Sequence, residues 1–374
     1  MGGDPFLALP GAVEASGLGV PLHFGSPLIE QRALATGEAI VSLSHRGIVT
    51  VAGEDRLSWL HSMTSQGLLG LEPGESVETL LLDPQGRIEH AVRLVDDGTR
   101  SWLLVDEGSA AALAAYLLRM RFAMRVEVAD ASETHAAVLA FDGGTAVPAL
   151  RSLGAPAAAV AEWRDPWAAA LTGGVQYARG EHAGEGWRAL QFVFRRDDLP
   201  AVAALLAGGA PAAAGLSALD ALEIRAWRPS RHAEVDERSI PHELDWLRTA
   251  VHLNKGCYRG QETVAKVHNL GHPPRRLALL HLDGSGGELP SPGALVFIAG
   301  TAMAGGTRPV GRVTRAALHY EWGGIALALL KRSVSEDAAL EVVLEDGSAV
   351  AAAQEVIVPA DAGATRDIPR LKRL

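Results

Sequence analysis

Between Gly47 and Ala129 the hydrophobic period switches repeatedly between 2 and 3.6, and the order of those switches constrains the fold more than any other feature. Gly47 to Ala52 reads as a strand. Glu54 to Ser65 reads as a helix, with Leu57, Leu60 and Met63 on one face and Glu54 and Asp55 at its positive end. Val77 to Leu82 is a second strand, and Asp83-Pro84-Gln85-Gly86 has turn chemistry, because Pro fixes φ and Gly accepts positive φ. Strands at Arg87 to Val95 and Ser101 to Val105, a helix at Ser109 to Arg121 and a strand at Arg125 to Ala129 complete the run. Strand, helix, three strands, helix, strand is the split βαβ order of a ferredoxin-like α+β unit.

The remainder of the 374 residues is organised around that unit. At roughly 100–200 residues per domain the chain holds two or three domains. Its 48% hydrophobic and 21% charged residues supply a core for each. Residues 1–38 read as an N-terminal arm, since Met1 to Leu28 is rich in Gly and Pro. Residues 39–275 read as an α+β core of two ferredoxin-like subdomains divided near 140. In its second half a strand is expected at Trp187 to Phe194, with helices at Leu199 to Leu206 and Leu216 to Trp227. From Leu277 short apolar strands alternate with Gly or Asp turns. Leu277–Leu282, Ala294–Ile298, Gly311–Ala317, Ile325–Leu330, Leu340–Leu344 and Glu355–Val358 fit a closed or sandwich-like β domain over 276–365. Residues 366–374 form a basic tail.

Charge and cysteine usage narrow the function. Lys and Arg total 34 against 44 for Asp and Glu, a net charge of −10 that disfavours direct grip on a phosphate backbone. The first basic residue is Arg32, so no positive region opens a secretory signal. Phe6 stands where myristoylation requires Ser or Thr. Leu199 to Leu219, the most membrane-like stretch, is cut by Pro200 and Pro211. These readings place the protein in the cytoplasm, with no nucleic acid or membrane as a partner. The single cysteine, Cys257, cannot form an internal disulfide or build a metal or iron–sulfur site alone.

That cysteine sits in Lys255-Gly256-Cys257-Tyr258-Arg259-Gly260-Gln261-Glu262. Lys255 and Arg259 are expected to favour the thiolate, and a helix beginning near Gln261 adds its positive end. Gly256 and Gly260 free the backbone for unusual turns or a close ligand. The competing reading is a small buried cysteine packed in a tight turn. Trp59, Trp102 and Trp227 lie on periodic faces and read as core.

The octapeptide, with Val264-Ala265-Lys266, Gly271 and Arg275-Arg276-Leu277 after it, resembles the signature of the YgfZ family. Leu43 to Gly47, Val51 to Asp55, Leu82 to Ile88, Leu222 to Ala226 and Ile240 to Glu243 resemble further family blocks in the expected order. That family comprises folate-binding proteins linked to iron–sulfur cluster assembly and tRNA modification, related to the aminomethyltransferase (T-protein) of glycine cleavage. The resemblance implies a T-protein-like folate-binding core, a C-terminal β-barrel, and tetrahydrofolate or another reduced folate held between them. Cys257 then becomes the functional thiol, flanked by Lys255 and Arg259. Gly256, Tyr258, Gly260, Gln261, Glu262, Lys266, Arg275, Arg276 and Arg225 become candidate folate contacts. No metal site is implied, and iron–sulfur carriers or client proteins are the implied transient partners.

Two departures separate this chain from aminomethyltransferases. The block that carries their paired aspartates reads Gly86-Arg87-Ile88-Glu89-His90-Ala91 here and lacks the pair, Glu89 being one residue out of step on the strand, and Arg225 stands where relatives often place a pterin-binding carboxylate. Glu223 is about 200° away from that position on a helix. Three readings follow: an accessory factor for cluster assembly, a folate-dependent aminomethyltransferase, and a folate-binding interaction module without thiol chemistry.

Overall fold

A computed structural model describes residues 3–284, 287–302 and 306–365; the basic tail expected at 366–374 lies outside these. The first sheet has the strand order Ser76–Leu82, Ile88–Asp96, Arg100–Val105, Gly47–Ala52, Glu127–Asp130, with every pair antiparallel. Period-2 alternation divides its side chains. Val92, Leu94, Leu103 and Val105 face the helices Arg56–Met63 and Ala110–Met120, while Ala91, Val95, Trp102 and Leu104 face a central core. Trp59, Trp102 and Trp227 are all buried. Glu54 and Asp55 do not cap the first of these helices. Both pair with Arg125, across the entry to the last strand.

The second sheet runs Ala161–Arg164, Ala189–Arg195, His135–Phe141, Ala39–Ser42, Ala212–Ala214. Its strand Ala39–Ser42 precedes the whole first sheet in sequence. One sheet is therefore nested within the other rather than following it after a division near 140. The N-terminal residues are not an extended arm. They hold a 3-10 turn (Pro5–Ala8), a short hairpin and a helix, Pro27–Ala35, with Pro in its first turn. Asp4 accepts hydrogen bonds from Ser42, Ser44 and Phe6 N, and Phe6 is fully buried, so this segment belongs to the second unit.

The third unit is a closed barrel of Arg275–Leu282, Gly323–Lys331, Gly311–His319, Leu295–Ile298, Leu340–Val343 and Ala349–Val356. Ala278, Leu280, Ala326, Ala328 and Leu330 fill its interior, while Leu277, Leu279, Ile325, Leu327 and Leu329 face the α+β core. Burial on both faces explains why these strands read as continuous apolar runs. A register shift between Val313 and Arg315 is decisive. Without it the two residues would share a face, and Arg315 would point into the barrel. The bulge keeps Val313 inside and aims Arg315 at the core.

The two sheets are tied by a buried arginine. Arg228 lies 2.7 Å from Glu78 of the first sheet and 3.0 Å from Asp165, which follows the edge strand of the second. Its guanidinium also lies over Trp167. Removing one partner of a buried ion network leaves uncompensated charge. Arg228→Ala is therefore expected to cost about 3–5 kcal/mol in urea denaturation. A loss near zero would show that the node does not hold the sheets together.

Candidate functional site

A cavity of about 490 Å³ opens where the three units meet. The helix Leu216–Arg225 forms one wall, with Leu216, Leu219, Asp220 and Glu223 at i, i+3, i+4 and i+7. His45 and Arg46 come from the loop before the strand Gly47–Ala52, Asp106 from just after the strand Arg100–Val105, and Arg312 and Arg315 from the barrel. The size suits a small-molecule ligand.

The charges on these walls are mostly paired. Arg315 Nη1 donates to Glu223 at 2.6 Å, and Nη2 lies 3.1 Å from Glu234 and donates to Arg228 O at 2.7 Å. Arg93 binds Asp106 at 2.9 Å; against the burial that would raise it, Arg93 and Arg46 hold that carboxyl well below the usual range. Burial, reinforced by Arg46, pulls His45 down to about 3, so it is a neutral imidazole at neutral pH. Asp220 differs. It is 3.6 Å from Arg315, its side chain is 52% exposed, and no described residue donates a hydrogen bond to it. Desolvation within the enclosing walls pushes its carboxyl up to about 6.

None of residues 255–262 lines this cavity. The cysteine segment forms a separate loop on the first unit. Cys257 is free and exposed, which removes the reading of a packed core thiol. The two cations are engaged by other partners. Lys255 Nζ donates to the carbonyls of His61, Thr64 and Gln66 at 2.5, 2.6 and 2.8 Å, capping the end of the helix Arg56–Met63. Burial draws Lys255 down to about 8, while its three carbonyl partners favour the ammonium form. Arg259 pairs with Glu89 at 2.8 Å and meets Tyr116 OH at 3.2 Å. Both residues thus anchor the loop. Tyr258 is buried beneath the Lys255 ammonium.

The glycines separate in the same way. Gly260 has φ +84° and starts the helix Gln261–Leu270, and a Cβ there would sit 2.6 Å from Asp83 O. Gly256 has no neighbour within 4 Å of a Cβ and no positive φ, so its backbone imposes no need for glycine. It lines, with Lys255, His61 and His252, an open groove of about 950 Å³. The helix that follows adds no wall to the central cavity. Gln261 donates to Lys255 O at 3.4 Å, and Glu262 and Lys266 are exposed.

The remaining sequence candidates are engaged elsewhere. Arg225 stacks over Trp322 at 3.9 Å, outside the cavity. Arg275 binds Asp236 at 2.6 Å and Glu243 at 2.8 Å. Arg276 is fully buried and donates to Gln354. All three arginines are structural ties rather than lining groups. Of the cavity's own set, Arg46, Asp220, Glu223, Arg312 and Arg315, motif reading reaches only Arg46 and Glu223, in the blocks Leu43 to Gly47 and Leu222 to Ala226, and gives neither a ligand contact. The signal for Asp220 is its helical spacing from Leu216 and Glu223; Arg315 depends on a bulge that carries no sequence signal. Among the described residues no three His, Cys, Asp or Glu gather to hold a metal ion, and no helix is long and apolar enough to cross a membrane.

Comparison with known proteins places the architecture. No family model matches the chain. It is 29% identical over 334 residues to an aminomethyltransferase of Thermus thermophilus, covering 88% of this chain and 90% of that protein. It is 24% identical over 280 residues to the iron–sulfur cluster assembly factor IBA57 homolog, mitochondrial, of Mycosarcoma maydis, covering 69% of this chain and 61% of that protein. The solved structure of glycine cleavage system aminomethyltransferase T from Bartonella henselae matches with a TM-score of 0.72 at 18% identity, over 96% of both chains.

The anchoring role of Lys255 has a measurable consequence. Lys255→Met strands three carbonyls in a half-buried site, and is expected to lower stability by about 1–3 kcal/mol and to speed proteolysis within 252–262. Unchanged stability and cleavage would contradict that role. The architecture as a whole is that of the aminomethyltransferase fold, and the sequence is aminomethyltransferase-like at low identity.

Proposed function

We propose that this chain is a folate-binding accessory factor of the YgfZ kind, serving iron–sulfur cluster assembly or repair and, through it, tRNA modification. The observation that carries the reading is the free, exposed Cys257 on a loop pinned by Lys255, Arg259 and Gly260. A thiol held out on a fixed loop is accessible to a second protein. One thiolate cannot complete a cluster, so it acts as a single ligand at an interface, or as a transfer or redox thiol, with an iron–sulfur carrier or client. The similarity to the assembly factor of Mycosarcoma maydis supports this.

The cavity residues fit a reduced folate. Leu18, Leu216 and Leu219 offer apolar surface, Asp220 offers an acceptor for ring N–H groups, and Arg46 and Arg312 offer positive charge for a glutamate tail. The Arg46 Nη1 atom is buried with no hydrogen-bond partner, which leaves a donor for such a group. When bound, the reduced pterin supplies a one-carbon carrier. This chain's contribution is to bind and orient it away from water.

A second reading, folate-dependent aminomethyl transfer, is favoured by the higher identity and wider coverage of the Thermus thermophilus protein. The strand position of the aspartate pair argues against it. Glu89 is held by Arg259, and His90 is buried, its ring drawn down to about 4 by burial and then by Arg231. Neither provides a free carboxylate.

The two readings part in one experiment. In cells lacking the chain, Cys257→Ala is expected to accumulate as folded protein yet fail to restore cluster-dependent enzyme activity. Full restoration would overturn the thiol role. Purified wild-type protein with tetrahydrofolate and an aminomethyl donor is expected to show no catalytic formation of methylenetetrahydrofolate, and turnover would favour the transferase.

A further inference from the structure

Four other carboxylates at or near the cavity already have a cation at hydrogen-bond distance. Glu223 and Glu234 share Arg315, Asp106 has Arg93, and Asp236 has Arg275 and Arg312. Asp220, half exposed on the cavity wall, reaches its nearest arginine only at 3.6 Å and accepts no hydrogen bond from the described residues. It also stands beside Leu216 and Leu219 on the cavity face of one helix. A carboxylate with open lone pairs next to an apolar ledge matches a flat heterocycle that carries adjacent N–H donors on one edge.

We propose that Asp220 is the ligand-reading carboxylate of the central cavity, accepting two N–H donors from the amidine-like edge of a bound heterocycle. The assignment rests on the folate reading above, for which the donor edge is that of the reduced pterin. It excludes the two nearer sequence candidates on physical grounds. Arg225 carries the wrong charge and lies on Trp322, and Glu223 commits its carboxylate to Arg315.

The assignment makes binding proton-linked. The groups facing Asp220 are Glu223 from its own helix, Arg315 from the barrel, Glu234 from the helix Arg231–Glu234 and Arg46 from the loop before the strand Gly47–Ala52. Burial, with Glu223 and Glu234 adding to it, outweighs the two arginines and leaves the carboxyl at about 6. N–H donors bind the ionised form, so binding releases a proton near that pH and weakens as pH falls through it.

The test is calorimetric titration of tetrahydrofolate into wild type and Asp220→Asn at about pH 5 to 8, in two buffers of different ionisation enthalpy, with thermal melts to confirm that the variant folds. Wild type is expected to bind one equivalent, lose about tenfold in affinity from about pH 7.5 to 5, and release protons near pH 6. The variant is expected to bind about tenfold or more weakly at about pH 7.5, with that pH slope and proton release lost. Wild-type binding with an unaltered variant would overturn the Asp220 assignment and leave the folate reading standing. No binding by folded wild type would overturn the folate reading and this assignment with it. Asp220→Ser, smaller and neutral, provides the same comparison should the Asn variant misfold.

Discussion

Arg315 is the contact on which the cavity depends. It reaches out of the barrel to Glu223, Glu234 and the Arg228 carbonyl, which belong to three neighbouring pieces of the α+β core. A buried guanidinium in this position is favourable only when nearly all of its donors are satisfied, and here the partners come from across the junction. The bulge at Val313–Arg315 makes the contact possible by turning one residue of a barrel strand outward. Arg228 plays the equivalent part between the sheets. Together the two arginines fix three units around a small polar space, and Asp220 stands on its wall without a hydrogen-bonded cation.

The cysteine loop follows a different logic. Its basic residues serve as anchors. They commit their hydrogen bonds to neighbouring backbone and to Glu89, so the motif's chemistry is mechanical: it fixes where the sulfur sits. The Arg259–Glu89 pair also ties the loop to the strand Ile88–Asp96 of the first sheet.

Much of the fold is legible in the sequence because period and turn chemistry agree. The seven elements from Gly47 to Asp130 and the helix Leu199–Leu206 lie where their patterns place them; five barrel strands are displaced only at their ends, while the sixth runs Ala349–Val356 instead of Glu355–Val358. The nesting of one sheet within the other is not legible, since Ala39–Ser42 reads as a short apolar run with no marker of its distant partner His135–Phe141. The N-terminal helix is hidden by the glycines and prolines around it, although Pro27 at its start is itself a helix signal. The site is legible in part. The cysteine segment stands out because a lone thiol, two cations and two glycines crowd into eight positions. Side-chain direction is what local sequence withholds. Arg225, Arg275 and Arg276 carry the right charge for an acidic ligand, yet Trp322, Glu243 and Gln354 claim them. Arg46, Asp106, Asp220 and Arg315 converge only after three units pack.

The central claim is that the ligand site is the junction cavity and that the cysteine loop is a separate surface. Amide hydrogen exchange of the wild-type chain, with and without tetrahydrofolate, tests this most directly. Protection is expected in the helix Leu216–Arg225 and the barrel strand Gly311–His319, with residues 252–262 unaffected. Protection confined to residues 252–262 and the groove beside them would contradict it.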